Sequence, residues 1–215
     1  MLSRYAQRRG AARGDWSDVE RERQPTSIDR IAAGPEPPTP DLRGLTSPDG
    51  AITLMLSDIA DADSLAQQIG PERWEQLLRD HRKLVEEAVT YYGGQVAKFD
   101  QDGFFASFHS AHGGLLSAVA LQRRFPDVAA GVGNALALRI GLHSGFVIAA
   151  PDQPQGRNMV LAARIAGQAR AGEILVSSSL REYTERDPSF SFEPRGEHHF
   201  KGLVGEHEIY AVAWR

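Results

Sequence analysis

Two carboxylates in this 215-residue chain stand where a pair of acids could hold a metal ion. Asp58 lies at the end of a short apolar run, Ala51–Ile59, that carries Ile52, Leu54, Met55 and Leu56 and reads as a buried strand. Asp102 lies in Asp100-Gln101-Asp102-Gly103, between strand-like runs at 95–99 and 104–108. Two such runs around an Asp-Gly tip make a hairpin. If that hairpin neighbours the first strand, the two side chains converge. Two hard oxygen donors suit Mg²⁺, which takes one or two carboxylates and completes its shell with substrate phosphates. A plainer account stays open beside this one: Asp58 caps the helix that follows, and Asp102 is simply the Asp of a turn.

Other chemistries find no support. The chain has no Cys, which removes disulfide scaffolds, thiolate metal sites and Cys nucleophiles together. His81, His109, His112, His143, His198 and His199 show no His-Glu-x-x-His spacing, and His198-His199 read as neighbours in a late strand. There is no Gly-x-Ser-x-Gly elbow and no Gly-x-x-x-x-Gly-Lys phosphate loop. Twenty-eight acids against 24 Lys and Arg give a net charge of −4, a sign that does not draw in nucleic acid. No apolar run approaches the roughly 20 residues of a membrane helix, and no apolar segment follows Met1-Leu2-Ser3-Arg4-Tyr5 as in a secretory signal. The expectation is a cytoplasmic protein without membrane insertion.

The elements that must position the two acids follow from periodicity. Pro71 opens a helix, as the first helical position favours. Trp74, Leu77, Leu78, His81, Leu84, Val85, Ala88 and Val89 recur at helical spacing, and Gly93-Gly94 ends it. A second amphipathic helix covers 111–125. Strands are expected at 136–143 and 146–149 around Ser144-Gly145, a helix at 156–169 and a strand at 173–176. Further strands are expected near 190–192, 198–200 and 208–212. The order is close to a ferredoxin-like βαββαβ core with additional strands and helices, an α+β fold.

The first 50 residues differ in kind. They hold six of the 12 prolines, eight Arg, no Lys and eight acids. Residues 16–32 offer only Trp16, Val19, Ile28 and Ile31 as sizeable apolar groups. Residues 1–48 therefore read as a flexible or loosely docked arm with room for one short helix, and 49–215 as the folded domain.

Many short blocks then occur in one order. They are Ser57-Asp58-Ile59, Gly70-Pro71-Glu72-Arg73-Trp74, Tyr92-Gly93-Gly94, and Lys98 through Phe104. Next come Arg139-Ile140-Gly141-Leu142-His143-Ser144-Gly145, Gly156-Arg157 with Ala162 to Ala166, Gly172 to Ser177, and Arg195-Gly196-Glu197-His198 with Lys201-Gly202. Through these blocks, over about residues 50–214, the chain resembles the class III adenylate/guanylate cyclase catalytic domain, in a small cytosolic bacterial, actinobacterial-like form.

The resemblance implies the nucleotidyl cyclase fold and head-to-tail dimers, homodimeric or with another cyclase chain, whose sites are built from both chains. It implies two Mg²⁺ or Mn²⁺ ions on Asp58 and Asp102. From the other chain, Lys98 reads the purine, with Gln153 at the second purine-reading position. Arg164 steadies the transition state and Lys201 grips the polyphosphate. The Lys is the adenine-type choice, so the implied reaction is ATP to 3′,5′-cyclic AMP and pyrophosphate, in cyclic-nucleotide signalling. The alternative is a catalytically impaired relative that binds a nucleotide or regulates a partner cyclase.

Five positions depart from the family pattern. Val160 replaces an Asn four residues before Arg164, and losing one oriented polar contact typically costs ~10²–10³-fold in rate. Val160 reads instead as a core residue of a packed helix. Asn158 lies two residues earlier, about 200° around the helix, so it points elsewhere. Gln153 stands where an acid or Thr is usual. Asp61 and Asp63 add charge where small or hydroxyl residues receive phosphate, although Asp63 also fits an N-cap for a helix from Leu65. Gln101 replaces a Gly before Asp102.

Overall fold

The structure is a computed structural model that describes residues 26–28, 30, 50–132, 136–146 and 155–214. Its spine is β1 (Ala51–Ile59), buried along its whole length. Alternation sends Ile52, Leu54 and Leu56 to one face of the sheet and Met55 and Ile59 to the other. Two helices follow β1 without a strand between them, α1 (Ala62–Ile69) and α2 (Pro71–Tyr91). Pro71 does occupy the first turn of α2, and Leu77, His81, Leu84, Val85, Ala88 and Val89 form its buried stripe. The hairpin β2 (Gly94–Asp100) and β3 (Gly103–Phe108) comes next, then α3 (Ala111–Val128), capped by Ser110, whose hydroxyl accepts the Gly113 N–H. The remaining elements are β4 (Leu138–Phe146), α4 (Gln155–Gln168), β5 (Ile174–Ser177), α5 (Ser178–Thr184), β6 (Ser191–His198) and β7 (His207–Ala213).

The seven strands lie in the order β2-β3-β1-β4-β5-β7-β6. β1 is antiparallel to both β3 and β4, and β4–β5 is the parallel pair. This is the expected α+β, ferredoxin-like arrangement with additions. Helices α2 and α3 cover one face, where Leu84, Val85, Leu115 and Leu121 meet Met55, Phe104 and Phe108. On the other face α4 lays Met159, Ala162, Ala163 and Ala166 against Ile52, Leu54, Leu56 and Phe105. The approach is close: a Cβ on Gly141 of β4 would collide with the backbone nitrogen of Ala166, so only glycine fits there.

Three expectations need correction. The strands foreseen at 136–143 and around 146 are one strand, because β1 pairs with β4 without a break from Ala51↔Phe146 to Ile59↔Leu138. Ser144 lies inside it and shares a 2.7 Å hydrogen bond with Thr53; residues 147–149 lie outside the described residues. The strands foreseen near 190–192 and 198–200 merge into β6, held to β7 on both sides of an irregularity between Pro194 and Glu197. Helix α5 was not foreseen, and α1, considered only as a helix from Leu65, begins at Ala62. Asp61, rather than Asp63, takes the N-cap position of α1, in a left-handed conformation (φ 56°). Among the described residues, no helix is long and apolar enough to cross a membrane.

Two buried histidines make the fold acid-sensitive. His81 packs edge-on against Phe125, with ring centroids 5.4 Å apart, and burial, helped by the Arg82 charge, lowers its pKa from 6.5 to about 4. Burial likewise lowers His143 on β4 to about 4, against the opposing effect of its Asn158 hydrogen bond. Below pH 6.5 the unfolded chain takes up two protons that the folded chain refuses, so stability present above pH 6.5 is lost as pH falls toward 4. Each group contributes a slope of about 1 kcal/mol per pH unit within that window. Urea unfolding at stepped pH should show this loss, and His81→Leu should roughly halve the slope without changing its sign.

Candidate active site

Asp58 is the penultimate residue of β1 and is fully buried. Alternation places it on the same face as Leu54 and Leu56, the face covered by α4. A buried carboxylate needs a partner, and the register supplies one: Asp58 stands directly opposite Arg139 on β4. Arg139 Nε donates to Asp58 Oδ1 at 2.8 Å, and Nη2 donates to Oδ2. The fork is bidentate, with both side chains largely removed from solvent.

Asp102 occupies the turn between β2 and β3. Gln101 before it adopts a left-handed conformation (φ 50°), which a glycine takes freely and a glutamine only at a steric cost. The Asp102 carboxylate accepts the backbone N–H of Ile59, the residue after Asp58, and the hydroxyl of Ser27. Burial pushes its pKa above the ordinary value; the Ser27 hydrogen bond, two backbone N–H groups and the Arg30 charge pull the other way. Gly103 lies flush against the first strand, since a Cβ there would sit 2.9 Å from the Ser57 carbonyl oxygen and 3.5 Å from Asp58 Cβ. Asp58 and the turn that carries Asp102 therefore stand at one end of the sheet, on neighbouring strands. Among the described residues no group of three or more His, Asp or Glu side chains could hold an ion by itself. Two carboxylates fit a Mg²⁺ or Mn²⁺ site of the kind completed by water and substrate phosphate.

The other expected residues surround this point unevenly. Lys98, half-buried on β2, pairs across the hairpin with Phe105 and so shares the face of Phe105, Leu54 and Leu56. Arg164 is half-buried on α4, the helix over that face. Lys201 is exposed in the turn after β6. Gln153 lies outside the described residues.

Val160 is not the core residue it was read as. Met159, Ala162, Ala163 and Ala166 supply the buried stripe of α4, while Val160 and Arg164, four residues apart, are both partly exposed. Asn158 is engaged elsewhere, as its angle implied: Oδ1 lies 3.3 Å from His143 Nε2, and Nδ2 donates to the Phe146 carbonyl. Asp61 and Asp63 are exposed.

Sequence reasoning missed two contributors. Arg139 lay inside a quoted block, but its pairing with Asp58 is visible only once antiparallel neighbours are aligned. Ser27, Ile28 and Arg30 carried no signal beyond one isoleucine, yet Ser27 and Ile28 are buried against the site.

The Asp58–Arg139 pair yields a stability test. Arg139→Met leaves a buried carboxylate without its cation and should destabilise the domain by about 3–5 kcal/mol in urea unfolding. Asp58→Leu combined with Arg139→Met should recover most of that loss.

Comparison with known proteins agrees with this geometry. The model of the adenylate and guanylate cyclase catalytic domain matches residues 46–213. An uncharacterised protein of Mycobacterium tuberculosis (strain H37Rv) is 30% identical over 163 residues, which is 73% of this chain and 53% of that protein. The chain thus spans about half the length of that curated relative. Among solved structures, the adenylyl cyclase CyaB from P. aeruginosa superposes with a TM-score of 0.68 at 22% identity, covering 76% of this chain and 93% of that one. The guanylyl cyclase Cya2 superposes with a TM-score of 0.66 at 22% identity, covering 76% and 91%. An adenylyl and a guanylyl enzyme share the fold equally, so the fold does not choose the base. With 168 of its residues matched in order, the chain belongs to the adenylate and guanylate cyclase catalytic domain family.

Proposed function

We propose that this domain converts ATP to 3′,5′-cyclic AMP and pyrophosphate, as a dimer, with Asp58 and Asp102 holding two Mg²⁺ or Mn²⁺ ions. The observation that supports the reading is the placement of Asp58 and the Asp102 turn side by side at the end of the β1–β3 pair. When bound, the ions supply ionisation of the ribose 3′-hydroxyl and neutralise the triphosphate. The 3′-oxygen attacks the α-phosphorus, the bond to the β-phosphate bridging oxygen breaks, pyrophosphate leaves, and the hydroxyl proton passes to solvent.

The chain's own residues orient and stabilise. Lys98 donates to the purine edge, in the adenine-type role that the resemblance implies, with Gln153 as a second contact. Arg164 meets the charge that develops on the α-phosphate, and Lys201 holds the leaving polyphosphate. Fixed cations aimed at developing charge act in the transition state without reorganisation. Val160 beside Arg164 is half-exposed, so an amide at this position has room to reach a ribose.

The test is purified protein with Mn²⁺-ATP and Mn²⁺-GTP, assayed for the cyclic product. Asp58→Asn and Asp102→Asn should each fall to background, and ATP should be preferred. Val160→Asn should raise turnover by ~10–10³-fold, with both acids still required. A complete absence of product from wild type and Val160→Asn, alone and with a partner cyclase chain, would sink the enzymatic reading.

Shared sites make a separate prediction. An Asp58→Asn chain mixed with a Lys98→Ala chain puts both lesions into one site of the mixed dimer and leaves the other intact. Each variant should be inactive alone, and an equal mixture should recover about a quarter of wild-type activity, since about half the dimers are mixed and each has one good site. No recovery would exclude sites built from two chains.

A further inference from the structure

A short segment, of which residues 26–28 and 30 are described, lies against the hairpin tip that carries Asp102. It makes a helical turn, closed by the Arg30 N–H on the Thr26 carbonyl at 3.0 Å. Ser27 Oγ donates to Asp102 Oδ1. Arg30 then ties that turn to the hairpin tip. Its Nη2 donates to Ser27 Oγ at 2.8 Å and to Gln101 Oε1 at 2.7 Å, its Nε donates to Asp100 Oδ2 at 3.3 Å, and Nη2 stands 4.0 Å from Asp102 Oδ1. Between them Ile28, fully buried, enters the apolar bed of Leu54, Leu56, Phe105, Met159 and Ala162 on the face that α4 only partly covers. The seating is tight: a Cβ on Gly103 would come within 2.7 Å of Ser27 Cβ.

We propose that residues 26–30 are a removable plug, which occupies Asp102 and the adjoining sheet face, so that docking of this segment and binding of a divalent ion exclude each other. The inference rests on the reading of Asp58 and Asp102 as the ion site. Its chemistry is substitution. A buried carboxylate needs donors and positive charge, and Ser27 with Arg30 provides both from within the chain. A divalent ion provides the same from solution, at the same oxygens. The segment lies outside the span 46–213 that matches the cyclase domain, so it is an addition to that domain rather than part of it.

Linkage fixes the expected size of the effect. An ion that binds only the open form sees its affinity reduced by the fraction of chains that are open. Removing the plug restores that factor, and a plug docked in nine chains of ten gives about a tenfold gain. The probe is Mn²⁺ alone, titrated into the full chain and followed by the paramagnetic resonance of free ion. The chains are wild type, Ile28→Asp, the double variant Ser27→Ala with Arg30→Ala, and each plug variant combined with Asp102→Asn. Amide hydrogen exchange over 26–30, with and without Mn²⁺, reports docking independently of activity. The double variant keeps the apolar contact and changes polar groups only, so it carries the test if Ile28→Asp misfolds.

The expected result is Mn²⁺ affinity at least about tenfold higher in the plug variants, lost with Asp102→Asn, and faster exchange at 26–30 when Mn²⁺ binds wild type. Equal Mn²⁺ affinity in wild type and plug variants, with exchange at 26–30 unaffected by the ion, would overturn the plug and leave the ion site standing. No Mn²⁺ binding above the Asp102→Asn background in any chain would overturn the ion site, and the plug with it.

Discussion

A charged carboxylate sits inside this sheet, and the architecture around the site answers to that fact. Asp58 is fully buried at the end of the central strand, where an unpaired charge would cost several kcal/mol. Its neutrality comes from Arg139, delivered by β4 at the position directly opposite. The same pairing continues without a break through Ser144 and Gly145 to Phe146. The second acid depends on the same strand from the other side. β3 brings the turn beside Ile59, whose N–H holds the Asp102 carboxylate. β1 therefore fixes both acids, one through its side chain and one through its backbone.

The helix over the site is positioned by small residues and one polar network. Gly141 lets the backbone of α4 approach β4, and the alanines of α4 complete the contact. His143 then bridges strand and helix, with Nδ1 2.9 Å from the Ser177 hydroxyl and Nε2 near Asn158. Ser179 closes the network on the Ser144 carbonyl at 2.7 Å. Burial keeps His143 neutral, so the network works through hydrogen bonds rather than charge. This packing fixes α4, the helix that carries Arg164, against the sheet.

Few groups hold residues 26–28 and 30 on the domain. Burying one isoleucine contributes roughly 1.5–3 kcal/mol, and each hydrogen bond about 1 kcal/mol net. Ordering five residues costs roughly 5–10 kcal/mol in backbone entropy. The gains from Ile28, Ser27 and Arg30 are of the same order as that cost. A competitor for Asp102 need only remove the Ser27 and Arg30 contacts to shift the balance. Gln101 adds to the coupling, because its strained left-handed turn presents the amide that Arg30 grips.

The sequence by itself determined most of the local elements and the family. Period-two alternation marked β1, the Asp-Gly tip marked the hairpin, and Pro71 with a 3.6-residue stripe marked α2; each signal lies within a few residues and survives in any context. The ordered blocks marked the family, because their chemistry is written residue by residue. Tertiary structure decided what depends on pairing across long separations. Arg139 meets Asp58 across 81 positions and Ser27 meets Asp102 across 75, and no local pattern encodes either contact. The continuity of β4 and β6 was decided the same way, since a long paired neighbour carries a strand through serines, glycines and a proline that would end it in isolation. Val160 was misread for the same reason. A valine on a helix is apolar in sequence, but only the sheet beneath α4 decides which stripe is buried, and that stripe belongs to Met159 and the alanines.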